Sequence, residues 1–375
     1  MTRRSAWQGR SVFVTGHTGF KGSWLTIWLR HLGAQVTGYS LPAPTEINNF
    51  AASNVRSLLR AHHEADVRDY RQLQRAIEES RPDVIFHLAA QTLVRESYRD
   101  PRQTFEVNVM GTVNVLETVR QLNRPCVVIV VTSDKCYENG GEATPHSEAD
   151  PLGGHDSYSA SKGAAEIVTA AYLRSFFPPE ELASHSIKVA SVRAGNAIGG
   201  GDWANDRIIP DTVRALRVQQ PVMLRNPRSI RPWQHVLEPL SGYLMLASRM
   251  LTSNVAAWCD GWNFGPHASQ DATVQELVDT FLHAWGDGRW QDGSEGQQPH
   301  EQSALRLSTD KAARELDWQQ RWGFSETVRR TADWYRGFYS ASSQPALHLC
   351  LQDINAYESS LSDGTGSKQL EYSKA

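Results

Sequence analysis

SVFVTGHTGFKGSWL, residues 11–25, is the stretch that decides the fold, because a short β-rich run passes through a glycine-rich turn into a helical pattern. The turn contains Gly16, Gly19 and Gly22. Glycine suits this turn because the backbone takes unusual dihedral angles and must approach a pyrophosphate closely. The N–H groups and positive dipole of the following helix favour the same anion. A strand, a glycine turn and a helix in this order predict a dinucleotide-binding site, against the alternative of a plain tight turn.

Apolar strands alternate with helical patterns through the first half of the chain. The strands are apolar along their whole length, as a parallel sheet requires when helices cover both of its faces. We therefore predict a Rossmann-like, doubly wound α/β fold with a cofactor-binding domain at residues 8–197. The patterns that carry this prediction include DVIFHLAA (83–90), PRQTFEVNVMGTVNVLETVRQLN (101–123), CVVIVVTS (126–133), YSASKGAAEIVTAAYLRSFF (158–177) and IKVASVRAGN (187–196).

The pattern loosens after residue 197, where the glycine-rich segment AIGGGDWANDRIIPD gives way to short strands and short helices. We predict a smaller mixed α/β lobe at residues 198–340 that binds the substrate. Residues 341–375 end in a polar run rich in Ser and Gly. Such a composition is typical of a mobile tail, and we predict one there.

The composition is that of an ordinary globular protein, with 375 residues, 40% hydrophobic residues and a formal charge of −3. The small negative charge predicts no nucleic-acid or anionic-membrane partner. No apolar run approaches the roughly 18 residues of a membrane span, and no apolar stretch typical of a signal peptide precedes the first strand. The cysteines and histidines are scattered without metal-ligand spacing, so we expect no metal, no disulfides and a reducing, cytoplasmic setting.

Two polar clusters are candidates for a reaction centre. The first is TSDK, residues 132–135, directly after an apolar strand, where an ordinary polar turn is the alternative. The second is the pair Tyr158 and Lys162, which are four residues apart and therefore share a helix face. A phenol with a pKa of about 10 is a poor base near neutrality, and a neighbouring ammonium lowers that pKa. The chain has 7 lysines against 31 arginines, and only Lys21, Lys135 and Lys162 precede residue 188.

The motifs TGHTGFKG, HLAAQ, VTSDKCY and YSASK, in this order, resemble those of extended short-chain dehydrogenases/reductases. With GNAIGGGDW they resemble the sugar-nucleotide dehydratase group of that family, over about residues 8 to 340. This resemblance implies an NAD-dependent hydro-lyase that acts on a CDP-hexose in deoxysugar synthesis. The alternatives are a nucleotide-sugar 4-epimerase, a dehydratase for another nucleotide-glucose and, outside enzymes, a dinucleotide-binding regulatory or RNA-associated protein.

The resemblance also implies catalytic roles. Ser133 holds the sugar 4-hydroxyl, Tyr158 removes its proton with the help of Lys162, and Asp134 protonates the departing 6-hydroxyl. An epimerase needs no such acid, so Asp134 favours elimination. The dTDP-glucose relatives carry Glu after this Asp, whereas this chain carries Lys135. We interpret Lys135 as the carbon-5 base or as a stabiliser of the enolate, although a lysine accepts a proton only in its neutral form. The alternative is a surface lysine paired with Glu138 or Glu142.

The cofactor contacts expected from the glycine turn and from the resemblance lie at the carboxyl ends of the first strands. The second strand ends in Tyr39 and Ser40 without an acid, so the preference for NAD over NADP depends on the resemblance. The expected cofactor-binding residues are Gly16, His17, Gly19, Phe20, Gly22, Ser40, Asp66, Val67, Leu88, Ala89, Ala90, Gln91, Tyr158 and Lys162.

The substrate diphosphate requires cations, and arginine suits it because its guanidinium makes bidentate contacts. By resemblance, Asn196 and Arg231 are the first candidates and Arg207 is the next, while Arg225 and Arg228 are equally compatible with a solvated surface. The helical patterns in 101–123 and 158–177 are rich in apolar residues on more than one face. In this family they form an intersubunit four-helix bundle, which predicts a homodimer or homotetramer, against burial within one subunit.

Overall fold

The computed structural model describes residues 4–138, 144–294 and 305–363. Its centre is a seven-stranded sheet with the order β11-β6-β5-β4-β1-β2-β3, in which every neighbouring pair is parallel. This architecture confirms the predicted doubly wound α/β fold. The strands are β1 (Ser11–Thr15), β2 (Gln35–Ser40), β3 (Ala61–Glu64), β4 (Val84–His87), β5 (Cys126–Val131), β6 (Ile187–Arg193), β7 (Ala197–Ile198), β8 (Val222–Leu224), β9 (Ile230–Arg231), β10 (Gln234–His235), β11 (Gly261–Asn263), β12 (Ala272–Thr273) and β13 (Trp290–Asp292).

Helices cover both faces of the sheet because strand side chains alternate between the faces. In β1, Val12 and Val14 face one hydrophobic core with α2 (Phe20–His31) and α11 (Leu237–Thr252). Phe13 faces a second core with α4 (Tyr70–Ser80) and α7 (Gly111–Gln121). The helices are α1 (Arg4–Trp7), α2 (Phe20–His31), α3 (Asn49–Ala52), α4 (Tyr70–Ser80), α5 (Val94–Arg99), α6 (Pro101–Phe105), α7 (Gly111–Gln121), α8 (Ser157–Phe176), α9 (Leu182–His185), α10 (Ile208–Arg217), α11 (Leu237–Thr252), α12 (Val274–Trp285), α13 (Asp310–Leu316), α14 (Phe324–Tyr339) and α15 (Ala346–Asp363).

The strand order places a crevice above the middle of the sheet. The chain runs outward from β1 through β2 to β3 and then returns to β4 on the other side of β1. Such a reversal separates the two neighbouring loops, and α/β proteins bind ligands at the carboxyl ends of the strands there. All candidate catalytic residues of the first half follow strands or begin helices at this same edge.

The second half of the chain does not form a separate lobe throughout. Strand β11 pairs in parallel with β6 as the seventh strand of the central sheet. Helix α11 is buried along almost its whole length and packs in the core that contains α2. The predicted boundary at residue 197 therefore divides the molecule only in part. The sequence pattern missed this because a helix that is apolar on all sides has no polar face to reveal its period.

Residues 346–363 form α15 and not the mobile tail that we predicted for this region. Leu349, Cys350, Ile354 and Tyr357 are buried in the main core. The indole N–H of Trp28 in α2 donates to Glu358 Oε1 at 2.8 Å, which ties α15 to the helix that follows the glycine turn. The polar composition of the last residues hid this helix, and the rest of the predicted tail, 364–375, lies outside the described residues. Within the described ranges, no helix combines the length and the hydropathy that crossing a bilayer requires.

A buried carboxyl anchors α15 and makes a prediction about pH and stability. Tyr357 and the backbone N–H groups of Arg321 and Trp322 donate to Glu238 in α11. Burial raises the pKa of Glu238 from 4.5 to about 7. Between these values the folded state keeps a proton that the unfolded state loses, so this group's contribution to stability falls as the pH rises.

In the unmodified protein, the Glu238 contribution to the free energy of unfolding falls between pH 4.5 and about 7. We expect this fall to be smaller in Glu238→Gln. Urea unfolding below and above this window measures the change. Ser241→Ala is the matched control because Ser241 bonds to the Tyr357 hydroxyl and carries no titrating group. It lowers stability by a similar amount at both pH values. An unchanged pH dependence in Glu238→Gln would contradict the prediction.

Candidate active site

The glycine turn between β1 and α2 has the close backbone approaches that only glycine allows. Gly16 has a φ of 72°, and a Cβ there would lie 2.7 Å from the backbone nitrogen of Ala89. A Cβ at Gly22 would lie 2.1 Å from the carbonyl oxygen of Gly16. Gly19 is the N-cap of α2, and no side chain caps the N–H groups of that helix end. The turn therefore presents uncapped backbone donors at the crevice, which fits the phosphates of a dinucleotide.

The end of β4 is joined to this turn by one hydroxyl. Thr15 Oγ1 accepts from the backbone N–H groups of Leu88 and Ala89, at 3.1 Å each, and contacts His87 Nδ1 at 2.8 Å. Leu88, Ala89, Ala90 and Gln91 are half-buried along the crevice. The four residues expected to line the cofactor at this strand end therefore border the crevice.

The amide of Gln91 faces away from that lining. Its Nε2 donates to Thr104 Oγ1 and to the carbonyl of Leu93, both at 3.0 Å. The backbone of Gln91 is bound on both sides by Asn108, which accepts from its N–H at 2.8 Å and donates to its carbonyl at 3.0 Å. Asn108 also donates to Ser161 Oγ in α8 at 2.8 Å, so it connects the β4 end to the helix of the Tyr/Lys pair. No local sequence pattern singles out Asn108, which lies in a π-helical turn between α6 and α7.

The residues expected to bind the adenosine side of the cofactor each make different contacts. The Ser40 hydroxyl contacts Thr18 Oγ1 of the glycine turn at 2.8 Å. Asp66 binds Arg68 through its carboxylate and accepts from the Tyr39 hydroxyl through its carbonyl. The His17 ring turns away from the crevice and contacts His62 Nδ1 at 2.8 Å.

Phe20 and Val67 complete the expected cofactor set. The Phe20 ring would lie 3.4 Å from a Cβ at Gly199, so it borders the glycine-rich loop after β6. Val67 is buried against Gly111, where a Cβ would come within 2.9 Å of its side chain. Of this pair, Phe20 bounds the crevice and Val67 belongs to the core beneath it.

Ser133, Asp134 and Tyr158 form a connected cluster at the end of β5. The Ser133 hydroxyl donates to Asp134 Oδ1 at 2.8 Å, and Ser133 also acts on the neighbouring Tyr158, whose pKa it lowers. Asn196 Nδ2 approaches Asp134 Oδ2 at 3.4 Å. The TSDK segment is therefore not an ordinary exposed turn, since Asp134 is only 3% exposed.

Glycines allow the elements of this cluster to approach one another. A Cβ at Gly163 of α8 would lie 2.7 Å from the Gly153 carbonyl and 3.1 Å from the Cys136 carbonyl. A Cβ at Gly195 would lie 1.7 Å from Asp134 Oδ2. Gly195 was not among the predicted site residues, although it begins the GNAIGGGDW motif two residues after β6.

The tyrosine of the pair does not have the pKa that we expected. Burial raises the pKa of Tyr158 to about 12, and the hydrogen bond from Ser133 and the charge of Arg207 oppose this shift only in part. Burial and the nearby charge of Lys21 lower the pKa of Lys162 to about 8. The expected lowering of the Tyr158 pKa by Lys162 was wrong for this structure, because desolvation of the phenolate outweighs the surrounding cations.

Lys21 is a cation of the site to which the sequence analysis gave no role. It lies in the first turn of α2, beside the glycine turn. Burial lowers its pKa to about 8, the Asp134 carboxylate opposes this shift, and the Arg207 guanidinium adds to it. The scarcity of lysine in the first half of the chain was the available signal, because Lys21 was one of only three.

A buried ion pair supports the cluster from behind. Glu166, one helical turn after Lys162, binds Arg193 at 2.8 Å and Ser191 Oγ at 2.6 Å, and it accepts a short hydrogen bond from Thr132. Thr132 directly follows β5 and precedes Ser133, and Ser191 and Arg193 belong to β6. Glu166 thereby ties α8 to both strands, and sequence reasoning had no signal for this contact.

Two of the predicted substrate residues lie near the cluster. Arg207 binds Asp202 at 2.9 Å and Thr92 Oγ1 at 3.3 Å, and its charge acts on Tyr158. Asn196 has a φ of 44°, an uncommon left-handed conformation that directs its amide to Asp134. Arg231 lies further along, on the short strand β9, and donates to the carbonyl of Ile230.

Lys135 follows Asp134 and is half-buried. Among the described residues, its side chain has no hydrogen bond or ion pair, so the expected alternative of a salt bridge to Glu138 is absent there. Glu142, the other alternative partner, lies outside the described residues.

A tyrosine and a lysine one turn apart, facing a strand-end serine above a glycine-turn Rossmann sheet, define an extended short-chain dehydrogenase/reductase. The chain matches the family described as GDP-mannose 4,6 dehydratase over residues 13–331. It belongs to that family.

Known relatives agree with this membership. The chain is 48% identical over 339 residues to CDP-glucose 4,6-dehydratase of Salmonella typhimurium, which covers 90% of this chain and 94% of the relative. The UDP-glucose 4-epimerase of Thermus thermophilus in complex with NAD is 25% identical, with a TM-score of 0.72 and coverage of 87% and 99%. The dTDP-glucose 4,6-dehydratase of Streptomyces venezuelae has the same fold at 23% identity, with a TM-score of 0.69 and coverage of 88% and 98%.

Proposed function

We infer that the chain is a CDP-glucose 4,6-dehydratase, which converts CDP-glucose into CDP-4-keto-6-deoxyglucose and water. The observation that carries this inference is the buried Asp134 carboxylate, bonded to Ser133 beside Tyr158. An acid at this point is what elimination of a hydroxyl requires. The identity of 48% to a CDP-glucose 4,6-dehydratase supports the nucleotide base.

NAD is the cofactor that fits the crevice. The fit is supported by the uncapped start of α2, by Gly16 and Gly22, whose Cβ atoms would collide with the backbone, and by the Ser40 hydroxyl beside Thr18. The solved epimerase at 25% identity contains NAD. Bound NAD would supply a reversible hydride acceptor for the oxidation at carbon 4 and the reduction at carbon 6, so no outside oxidant would be consumed.

A different residue carries out each proton transfer at the sugar. Tyr158 removes the proton of the 4-hydroxyl, and the charge of Arg207 favours the phenolate that this requires. The carbonyl formed at carbon 4 acidifies the hydrogen on carbon 5. Lys135 removes that hydrogen as a base, while Asp134 protonates the 6-hydroxyl as it leaves.

The diphosphate of the substrate is assigned to Asn196, Arg231 and Arg207 in this proposal. Arg207 is supported best, because its guanidinium lies at the site and is held by Asp202 at 2.9 Å. Asp202 neutralises only part of the Arg207 charge, so the guanidinium can still bind a phosphate.

The nearest competing function is a 4-epimerase, in which hydride returns to carbon 4. Incubation of the purified protein with CDP-glucose, dTDP-glucose and UDP-glucose distinguishes the two. We expect a 4-keto-6-deoxy sugar, detected by the ultraviolet absorbance that alkali develops, mainly from CDP-glucose. A 4-epimer without ketone would make the chain an epimerase, and the absence of any conversion would favour a binding protein.

Lys135→Ala tests the base at carbon 5. We expect dehydration to slow by about 10²-fold, the usual contribution of a general base. The carbon-5 hydrogen of recovered CDP-glucose should also stop exchanging with deuterium from the solvent, as followed by proton NMR. The control is Lys188→Ala, since Lys188 caps the carbonyls of Met250 and Ser253 away from the site. Exchange at the normal rate in Lys135→Ala would refute the role.

We further propose a homodimer formed through α6, α7 and α8. Large apolar side chains are exposed there, with exposed fractions of 50% for Met110, 55% for Ile167 and 47% for Phe176. Burial of such a patch between subunits removes it from water. We expect Ile167→Glu to yield monomers in sedimentation, whereas Val218→Glu, at a position in another region that is 66% exposed, leaves the assembly unchanged. A dimeric Ile167→Glu would exclude this interface.

We also propose a cytoplasmic location. All four cysteines are free and buried, which is compatible with a reducing compartment.

A further inference from the structure

The loop at residues 199–203 is bonded to α14, although 133 residues separate the two bonded positions. The Tyr335 hydroxyl accepts from the backbone N–H of Asp202 at 3.0 Å and donates a short hydrogen bond to the carbonyl of the same residue. Tyr335 is fully buried, and burial raises the pKa of its phenol, so it keeps the proton that it donates. One hydroxyl therefore fixes the peptide groups on both sides of Asp202.

The same loop is fixed at a second point. A Cβ at Gly200 would lie 2.0 Å from the Trp334 ring, so the loop backbone lies directly against α14. The indole N–H of Trp24 in α2 donates to the Gly200 carbonyl at 2.8 Å. The loop is thus held between the helix that follows the glycine turn and a helix near the end of the chain.

The Asp202 carboxylate has both of its oxygens engaged. Oδ1 accepts from the backbone N–H of Ala204 at 3.0 Å, and Oδ2 accepts from Arg207 at 2.9 Å. The residue is only 6% exposed. Because Tyr335 fixes its backbone and Ala204 fixes one oxygen, the other oxygen is directed to the guanidinium of Arg207.

Arg207 remains accessible although it is held. Asp202 and Thr92 each accept one N–H of the guanidinium, and its other N–H groups have no partner among the described residues. Its side chain is 35% exposed. A cation that is already fixed in place loses less conformational entropy when it binds an anion.

We propose that Tyr335 is a positioning residue for the substrate diphosphate, which acts through Asp202 to hold Arg207 at the site. This inference rests on the proposed function, in which Arg207 binds the diphosphate. It gives α14 a role in substrate affinity, although α14 carries none of the residues assigned to the substrate.

The test measures the affinity of the NAD-loaded full chain for CDP by calorimetric titration. Tyr335→Phe keeps the ring and removes only the hydroxyl, and we expect it to weaken CDP binding by about tenfold, as for residues that share one hydrogen-bond network. Arg207→Ala removes the group on which Tyr335 acts. Adding Tyr335→Phe to Arg207→Ala should therefore cause no further loss of CDP affinity.

Tyr339→Phe is the matched control on the same helix. The Tyr339 hydroxyl accepts from the indole N–H of Trp203 at 2.9 Å, so it contacts the same loop at a different residue. We expect normal CDP affinity in this variant. A general loosening of the loop would weaken CDP binding in Tyr339→Phe as well.

Asp202→Glu tests the middle of the connection and leaves Tyr335 intact. It keeps the charge that faces Arg207 and moves the carboxylate by the length of one methylene group. CDP binding should weaken in this variant, again with no further loss when Arg207→Ala is already present. This variant also decides the matter if Tyr335→Phe fails to fold.

The outcomes separate the positioning role from the proposed function. Unchanged CDP affinity in Tyr335→Phe, or an equal loss with and without Arg207, would overturn the positioning role. Failure of the unmodified protein to bind CDP would instead overturn the proposed substrate. CDP binding without conversion of CDP-glucose would overturn the dehydratase and leave the positioning role in place.

Discussion

Asp134→Asn lowers the rate of CDP-4-keto-6-deoxyglucose formation by about 10³-fold, as expected for loss of a general acid. Asn has nearly the same shape as Asp and can still accept the hydrogen bond from Ser133. It has no proton to give to the 6-hydroxyl, so elimination stops while deprotonation of the 4-hydroxyl by Tyr158 continues. The rate is measured through the ultraviolet absorbance of the ketone after alkali.

The accompanying observation concerns carbon 5. Because ketone formation at carbon 4 remains reversible in Asp134→Asn, Lys135 still removes the carbon-5 hydrogen and CDP-glucose recovered from deuterated water carries deuterium there. Asp353→Asn is a control for the loss of a buried carboxylate, since Asp353 binds Arg330 far from the site. If Asp134→Asn kept more than about a tenth of the normal rate, Asp134 could not be a general acid that accelerates the reaction by about 10²-fold or more.

Tyr158→Phe should lower dehydration by a comparable factor of about 10³, but at the earlier step. Removal of the hydroxyl eliminates the base for the 4-hydroxyl. No ketone forms, so the carbon-5 hydrogen of recovered CDP-glucose does not exchange. Proton NMR of the recovered sugar nucleotide therefore separates this variant from Asp134→Asn.

Tyr172→Phe is the matched control for this variant. Tyr172 lies on the same helix α8, and its hydroxyl approaches Glu117 at 3.4 Å, away from Ser133. It should have normal activity. If Tyr158→Phe exchanged carbon-5 hydrogen at the normal rate, another group would have to be the base for the 4-hydroxyl.

The motifs of the first half were readable because each depends on residues close together in sequence. Glycine sterics identify the turn, and the hydrophobic pattern places Ser133 at the end of a strand. Helical spacing puts Tyr158 and Lys162 on one helix face. The alternation of apolar strands with helices predicted the parallel sheet in the same way. The strand β3, AHHE, was missed because an edge strand with histidines lacks the apolar pattern.

The surroundings of the catalytic groups could not be predicted from the sequence. The lowered pKa expected for Tyr158 presumed that Lys162 would dominate, whereas burial of the phenol depends on the packing of α8 against the β5 end. The roles of Asn108 and Glu166 depend on partners 17 and 25 residues or more away. No local pattern encodes such contacts.

By itself, the sequence determined the Rossmann-like fold, the order of its motifs and the residue types available for chemistry, because these follow from short-range sterics and periodicity. Only the tertiary structure decided that α11 and β11 complete the first domain and that α15 closes against α2. It also decided that Lys21 and Gly195 join the site and that Ser133 points its proton to Asp134. The physical reason is that burial and charge proximity depend on atoms that folding brings together from separate parts of the chain, as with Asn196 and Asp134, which are 62 residues apart.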